Sequence, residues 1–349
     1  MLKKNVAAFV FMLAAFSVFA YNPPAGGENL FGISSPSQLT SASSAAGGGL
    51  FSVTPSSIVF NPALIATEQR IMLDVGYTAL FGAGGYGNAF QLGMVVPTKW
   101  CIADAVVQGI MSPSEDLPLG NSLNLKTAVS KEITDKLSVG LGVGSGFFWD
   151  HGSDWALTAD LGMMYSLGNF YFLKNTRLGV SLLNLGKPYT DTDLTGIYDN
   201  SSSEFPEFCT LRAGGAATLF TASEITGGAS FDVAVPGLQN VVFDTGFQMS
   251  YRDMIKLSTA WEFNTREFLS GNSNLMPSIG LSFKFMLNSK KDSYLSKKGW
   301  QQSEMSVSTA WQQLYGGVNA SSAGATLKLG TRDNEAPEIK LWDTDGGND

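Results

Sequence analysis

Residues Lys136 to Phe147 read KLSVGLGVGSGF. Leu137, Val139, Leu141, Val143 and Phe147 fall on alternate positions, and Gly140, Gly142, Gly144 and Gly146 fill the places between. A period of two is that of a β-strand, whose successive side chains point to opposite faces, so this stretch is a strand with one apolar face. The same spacing excludes a dinucleotide-binding reading of GLGVGSG: the glycines recur every second residue and no helix follows.

The pattern repeats along the chain from Arg70 onward. Ile71, Leu73, Val75, Tyr77 and Phe81 alternate with Met72, Asp74, Gly76 and Thr78. Trp155, Leu157, Ala159, Leu161, Met163 and Tyr165 alternate with Thr158, Asp160 and Gly162. Three further segments, 241–251, 254–263 and 276–286, follow the same rule. Strands are expected near 70–81, 86–96, 100–111, 121–130, 136–147, 155–166, 176–185, 208–219, 227–235, 241–251, 254–263, 276–286, 303–313 and 322–330. That gives fourteen, or twelve if two weak ones are loops.

The second face chooses between a sandwich burying its apolar side and a barrel turning it to lipid. It is mostly Gly, Ser, Ala and Thr with few charges, which suits a narrow polar lumen better than a solvated sheet. Only 15% of the 349 residues are charged, against roughly 25% in an ordinary soluble domain. Tyr86, Trp100, Trp149, Trp155, Tyr165, Tyr251, Trp261 and Trp311 stand near strand ends, where a membrane barrel carries its aromatic girdles. The expected fold is therefore an all-β transmembrane antiparallel barrel over 70–330. Long connections (112–120, 186–207, 264–274) fall on one side and short ones (97–99, 252–253) on the other. The Lys-rich 287–302 is long on the short side, where a slip of register is the expectation.

The N-terminus has the form of a signal peptide over 1–20: Lys3 and Lys4, an apolar run from Val6 to Phe19, then Val18 and Ala20 at the cleavage positions. Export and an outer-membrane location follow. The net charge of -8 with few Lys/Arg clusters argues against nucleic acid as a partner. Cys101 and Cys209, the two cysteines, could pair but do not make a disulfide scaffold.

Residues 21–69 show no sustained period and are small and uncharged, in AGGENLFGISSPSQLTSASSAAGGGLFSVTPSSIVFNPAL. Such a segment could pack inside a polar lumen as a hatch, its small side chains letting backbone approach the wall. At its end, Pro62 restricts Asn61 to extended geometry, Asn61 can bond nearby backbone, and Ala63 clears the wall. The tail 331–349, TRDNEAPEIKLWDTDGGND, is acidic and polar.

The run Ala45-Ala46-Gly47-Gly48 and the junction Asn61-Pro62-Ala63 resemble the N-terminal hatch of FadL-type outer-membrane transporters, and most closely their PorV-like and spirochaetal relatives. A weaker echo lies in GVSLLNLGKP, Gly179 to Pro188. The resemblance implies a fourteen-strand barrel that passively admits small hydrophobic or amphipathic solutes, with membrane lipid and such a ligand as partners. It also implies a deformed third strand through which ligand leaves sideways. Here WCIADAVVQGIM, with Asp104 among apolar residues and Val106 beside Val107, is the expected kink. PorV-like chains imply an alternative, a partner barrel that docks other envelope proteins in secretion or assembly. A simple water-filled porin fits less well, because of the candidate plug.

Asp74, Lys126, Asp160, Asp232, Asp244, Lys256, Glu262 and Lys284 are expected to face the lumen, mixed in sign and forming no selectivity ring. No catalytic constellation, cofactor motif or metal site emerges. His151, the sole histidine, lies in a turn signal, and DTDLTGIYDNSS has Ser202 where a calcium loop needs glutamate. The reading is of a channel and not an enzyme.

Overall fold

A strand with one apolar and one polar face must keep the two apart, and a closed sheet does so by making one face its outside. In the computed structural model, which describes residues 32–40, 44–82, 84–112, 120–149, 152–187, 209–238, 240–269, 275–288 and 302–330, the chain closes in this way. Its strands are β1 (Ile71–Gly82), β2 (Gly85–Pro97), β3 (Ile102–Met111), β4 (Asn121–Thr134), β5 (Leu137–Trp149), β6 (Ser153–Phe170) and β7 (Leu173–Lys187). The second half supplies β8 (Thr210–Ala222), β9 (Ile225–Val235), β10 (Val242–Tyr251), β11 (Ile255–Asn264), β12 (Ser278–Asn288), β13 (Gln302–Gln313) and β14 (Asn319–Leu329). Each pairs antiparallel with its sequence neighbours, and β1 pairs with β14 from Ile71↔Leu329 to Phe81↔Asn319 to close a barrel of fourteen. All fourteen expected segments are strands.

The alternation places the faces as the composition requires. Val75, Leu141, Val143, Leu161 and Phe231 are about half exposed on the outside, while Asp74, Thr78, Gln91, Ser138 and Asp160 are buried within. So wide an apolar exterior on a closed sheet is a lipid-facing belt. Tyr86, Trp155 and Trp261 are exposed near one rim; Trp100, Tyr165 and Tyr251 are exposed near the other. The first rim carries the connections 112–120, 188–209 and 265–277, the last opening with the short helix α1 (Thr265–Leu269). The second carries the two- to four-residue links 98–101, 135–136, 171–172, 223–224 and 252–254.

One expectation is corrected. Strands β12 and β13 pair without a shift from Ile279↔Trp311 to Asn288↔Gln302, so the register does not slip at the long Lys-rich connection, whose residues 289–301 lie outside the described residues. At Asp104, the expected wall kink, β3 keeps unbroken register with β2 and with β4. The poor alternation of β3 has a cause in packing. Ile102, Val106 and Ile110 point inward and are buried, and the first two join Val53, Ile58, Leu64 and Ile65 of the N-terminal segment in one apolar cluster. Behind β3 the barrel interior carries apolar clusters, so its inward face is not polar throughout.

Cys101 and Cys209 are free. They flank β2–β3 and β7–β8 connections at opposite rims, too far apart to bridge. The stretches 1–31, 188–208 and 331–349, with His151, lie outside the described residues, and with them the signal peptide, the calcium-like loop and the acidic tail.

Candidate functional site

Residues 32–40 and 44–69 are mostly buried, yet they form only short 3-10 turns, Pro55–Val59 and Pro62–Thr67. A buried backbone with so little secondary structure must find its hydrogen bonds elsewhere. The inward side chains of the wall provide them. Thr78 Oγ1 on β1 donates to the Ile33 carbonyl at 2.7 Å, and Ser181 Oγ on β7 to the Phe60 carbonyl at 2.7 Å. Gln248 Oε1 on β10 accepts from the Leu50 N–H at 2.8 Å.

Charged groups make the strongest of these contacts. Asp232 on β9 accepts from Ser44 Oγ (2.7 Å) and the Ala45 N–H (2.6 Å). Arg212 on β8 balances that carboxylate, its Nε 2.9 Å from Asp232 Oδ2 and its Nη2 2.5 Å from Asp244 Oδ2 on β10. The Arg212 guanidinium also lies over the Phe60 ring, 5.0 Å from its centre. Arg177 on β7 reaches the carbonyls of Ala46 (3.1 Å) and Gly48 (2.5 Å) and covers the Phe51 ring at 4.8 Å. A planar guanidinium with several fixed donors suits such work, because it can hold two carbonyls and still stack.

The Asn-Pro-Ala junction has its own seat. Asn61 is extended and caps the turn Pro62–Thr67, its Oδ1 accepting from the Ala63 N–H at 2.9 Å. Its Nδ2 donates to the carbonyls of Ala45 (2.8 Å) and Met163 (3.0 Å), tying the turn to the small-residue run and to β6. The wall beneath is cut away. A Cβ on Gly162 would lie 2.1 Å from Asn61 Oδ1, and one on Gly140 of β5 would lie 2.4 Å from the Pro62 carbonyl carbon. Glycine is required at both because backbone and amide occupy the space of a side chain.

The other residues expected to face the lumen divide into local pairs. Lys126 on β4 bridges Asp160 Oδ2 (3.0 Å) and Asn184 Oδ1 (3.1 Å), while Asp160 Oδ1 accepts from the Asn184 N–H at 2.7 Å. Asn184 has φ 58° where β7 shifts register against β6, between Ala159↔Leu185 and Leu161↔Leu182. This trio fixes a β-bulge in the Asn-Leu-Gly segment. Asp74 accepts from Thr326 Oγ1 (2.6 Å) and from Gln91. Lys256 donates to Ser52 Oγ at 2.9 Å, Lys284 pairs with Asp253, and Glu262 lies exposed opposite Asp244 in the ladder. Asp104 is buried on β3. The structure thus brings Asp232 and Asp244 together, with Glu262 opposite Asp244 in the ladder, and places Asp74, Lys126 with Asp160, Lys256 and Lys284 elsewhere on the wall. Arg177, Arg212, Gly162 and Asn184 make contacts that sequence reasoning missed. An arginine on the lumen face of an apolar-patterned strand was the available signal for the first two.

Where the segment enters β1, Glu68 is paired twice, with Arg70 Nε (3.1 Å) and Lys328 Nζ (2.8 Å), and Arg70 Nη1 continues to Glu304 at 3.0 Å. Burial alone would raise the Glu68 carboxyl, but Lys328 and Arg70 outweigh it and hold the group below its ordinary value. A folded value below the unfolded one contributes stability above the unfolded pKa, about 4.3, and loses it as pH falls through the folded pKa. The unfolding midpoint of the wild type should exceed that of Glu68→Gln near neutrality. The gap should close in acid, and a pH-independent gap would refute the ion-pair account.

No family pattern and no characterised protein matches the chain by sequence. Solved structures do match in fold. The TodX monoaromatic hydrocarbon channel (a deltaS2 mutant) superposes with a TM-score of 0.53 at 12% identity, covering 87% of this chain and 100% of that one. The CymD monoaromatic hydrocarbon channel gives a TM-score of 0.49 at 13% identity, over 88% of this chain and 100% of its own. A Pseudomonas aeruginosa FadL homologue gives 0.47 at 13%, over 89% and 98%. At such identities the likeness is one of fold.

Proposed function

We propose that the chain is an outer-membrane channel for the passive entry of small hydrophobic or amphipathic solutes, working in the manner of FadL-type transporters. Residues 1–20 direct export, 21–69 form the hatch and 70–330 form the barrel. One observation supports this reading: residues 32–40 and 44–69 are mostly buried and bond the inner side of a lipid-facing barrel through Asp232 and Arg177. A lumen filled this way does not suit a sieve for hydrophilic solutes. A barrel of similar fold serves monoaromatic hydrocarbons in the TodX channel.

The test is uptake of a labelled monoaromatic hydrocarbon and a labelled long-chain fatty acid by cells lacking their own channel for either. Expression of the full chain should raise energy-independent entry of at least one, while liposomes bearing it should swell no faster in sugars than protein-free ones. Rapid sugar swelling with no hydrophobic uptake would overturn the proposal. The second reading, a PorV-like partner barrel, is favoured by one described feature. The β6–β7 turn thrusts Phe170, Tyr171 and Phe172 into solvent at the short-turn rim, with Tyr171 90% exposed. Capture of a stable envelope partner by the full chain, lost without residues 331–349, would support that role over transport.

A further inference from the structure

Between residues 36–40 and 52–54 and the inner face of β11–β14 lies a cleft of about 590 Å³, part of it open to solvent. Strand register places Lys256, Ser282 and Ser308 side by side across three strands, with Ser258 and Ser306 in the rows to either side. All five line the cleft, and no carboxylate does. Two neighbouring lysines are already neutralised, Lys284 by Asp253 and Lys328 by Glu68. Lys256 has no acidic partner within ion-pair distance among the described residues, and its Nζ bonds only the Ser52 hydroxyl. An ammonium facing a wall of serine hydroxyls, in a partly dehydrated cleft, is a donor set short of an anion. Apolar lining is confined to Pro36, Val53 and Leu281, too little to hold a hydrocarbon chain.

We infer that this cleft binds a small free oxyanion, a phosphate or carboxylate carried by a water-soluble solute, independently of the hydrophobic route. Lys256 would supply the charge, and Ser282, Ser306 and Ser308 would supply hydroxyl donors. The hatch residues close the cleft's other side, so such an anion would sit where the hatch meets the wall.

The full-length protein in detergent, titrated with inorganic phosphate and separately with decyl phosphate, tests this. Wild type should bind inorganic phosphate saturably. Lys256→Gln should weaken binding about tenfold or more, the usual cost of losing a charge-assisted hydrogen bond. Lys284→Gln should leave binding unchanged, because Asp253 already holds that lysine. The double variant Ser306→Ala/Ser308→Ala keeps the charge and should still weaken binding, so the site can be tested even if Lys256→Gln fails to fold. Absence of saturable phosphate binding, equal weakening by Lys284→Gln, or binding of decyl phosphate alone would each overturn the proposal. The last would identify a head-group site for an amphipath. Uptake of hydrophobic solutes, measured beside it, should be the same in all these variants.

Discussion

Asp232→Ala should destabilise the folded barrel by about 3–5 kcal/mol, the cost of removing one partner of a buried ion pair and leaving the other charged. Three losses combine at this position. Arg212 loses its ion pair with Asp232 and keeps that with Asp244, and the Ser44 hydroxyl and Ala45 amide both lose the Asp232 acceptor. The first loss weakens the wall and the other two release the N-terminal segment, so two readouts should move together. The denaturant midpoint in detergent should fall, and a protease added to the folded protein should cut within residues 44–52. Asp244→Ala separates the effects. Its carboxylate is 23% exposed and, among the described residues, bonds Arg212 of the wall and not the segment. It should therefore cost less and leave the segment protected. Equal protection of residues 44–52 in Asp232→Ala and wild type would show that the carboxylate serves the wall only.

This latch marks the limit of what the sequence reveals. The barrel was legible because lipid outside and a polar lumen inside impose period two on the strands, and Leu137 to Phe147 states that rule with Ser145 alone breaking the apolar face. Strand number was legible only as fourteen or twelve, because turns interrupt the period but weak strands and loops look alike. Asp232 and Asp244 were readable as inward-facing by parity alone, but their joint use by Arg212 depends on register across β8, β9 and β10, which no local pattern encodes. The departure at β3 has the same origin. Its inward Ile102 and Val106 break alternation because they meet Ile58 and Leu64, residues about forty positions earlier in the chain. Long-range packing of an aperiodic segment leaves its trace on the wall as an irregularity, and an irregular strand reads as a bent one. The Lys126–Asp160–Asn184 trio is a third instance: the bulge it fixes shows in the sequence only as an Asn-Leu-Gly whose backbone demands are invisible without the partner strand.

Gly162→Val should unseat the Asn61-Pro62-Ala63 junction at a cost of about 4 kcal/mol, from overpacking together with three hydrogen bonds each worth about 1 kcal/mol. The new Cβ would stand 2.1 Å from Asn61 Oδ1 and 2.8 Å from Pro62 Cδ, so Asn61 cannot remain. With it go the bonds to Ala63, Ala45 and Met163, and hence the amide that links the junction, the small-residue run and β6 at one point. The wall itself has less reason to fail, because Gly162 keeps its ladder partners Gly140 and Ser181 and valine is a good strand residue. The barrel should therefore still assemble and run as a folded species in gel electrophoresis, while its electrical conductance in a planar bilayer rises above that of wild type. Gly215→Ala is the matched control: its added Cβ would meet the Leu178 side chain at an ordinary 3.4 Å, and neither stability nor conductance should change. Were Gly162→Val to conduct like Gly215→Ala, the junction would be an ordinary turn resting on the wall. A rise confined to Gly162→Val would mean that the lumen is closed by a segment whose hold depends on the missing side chains of its neighbours.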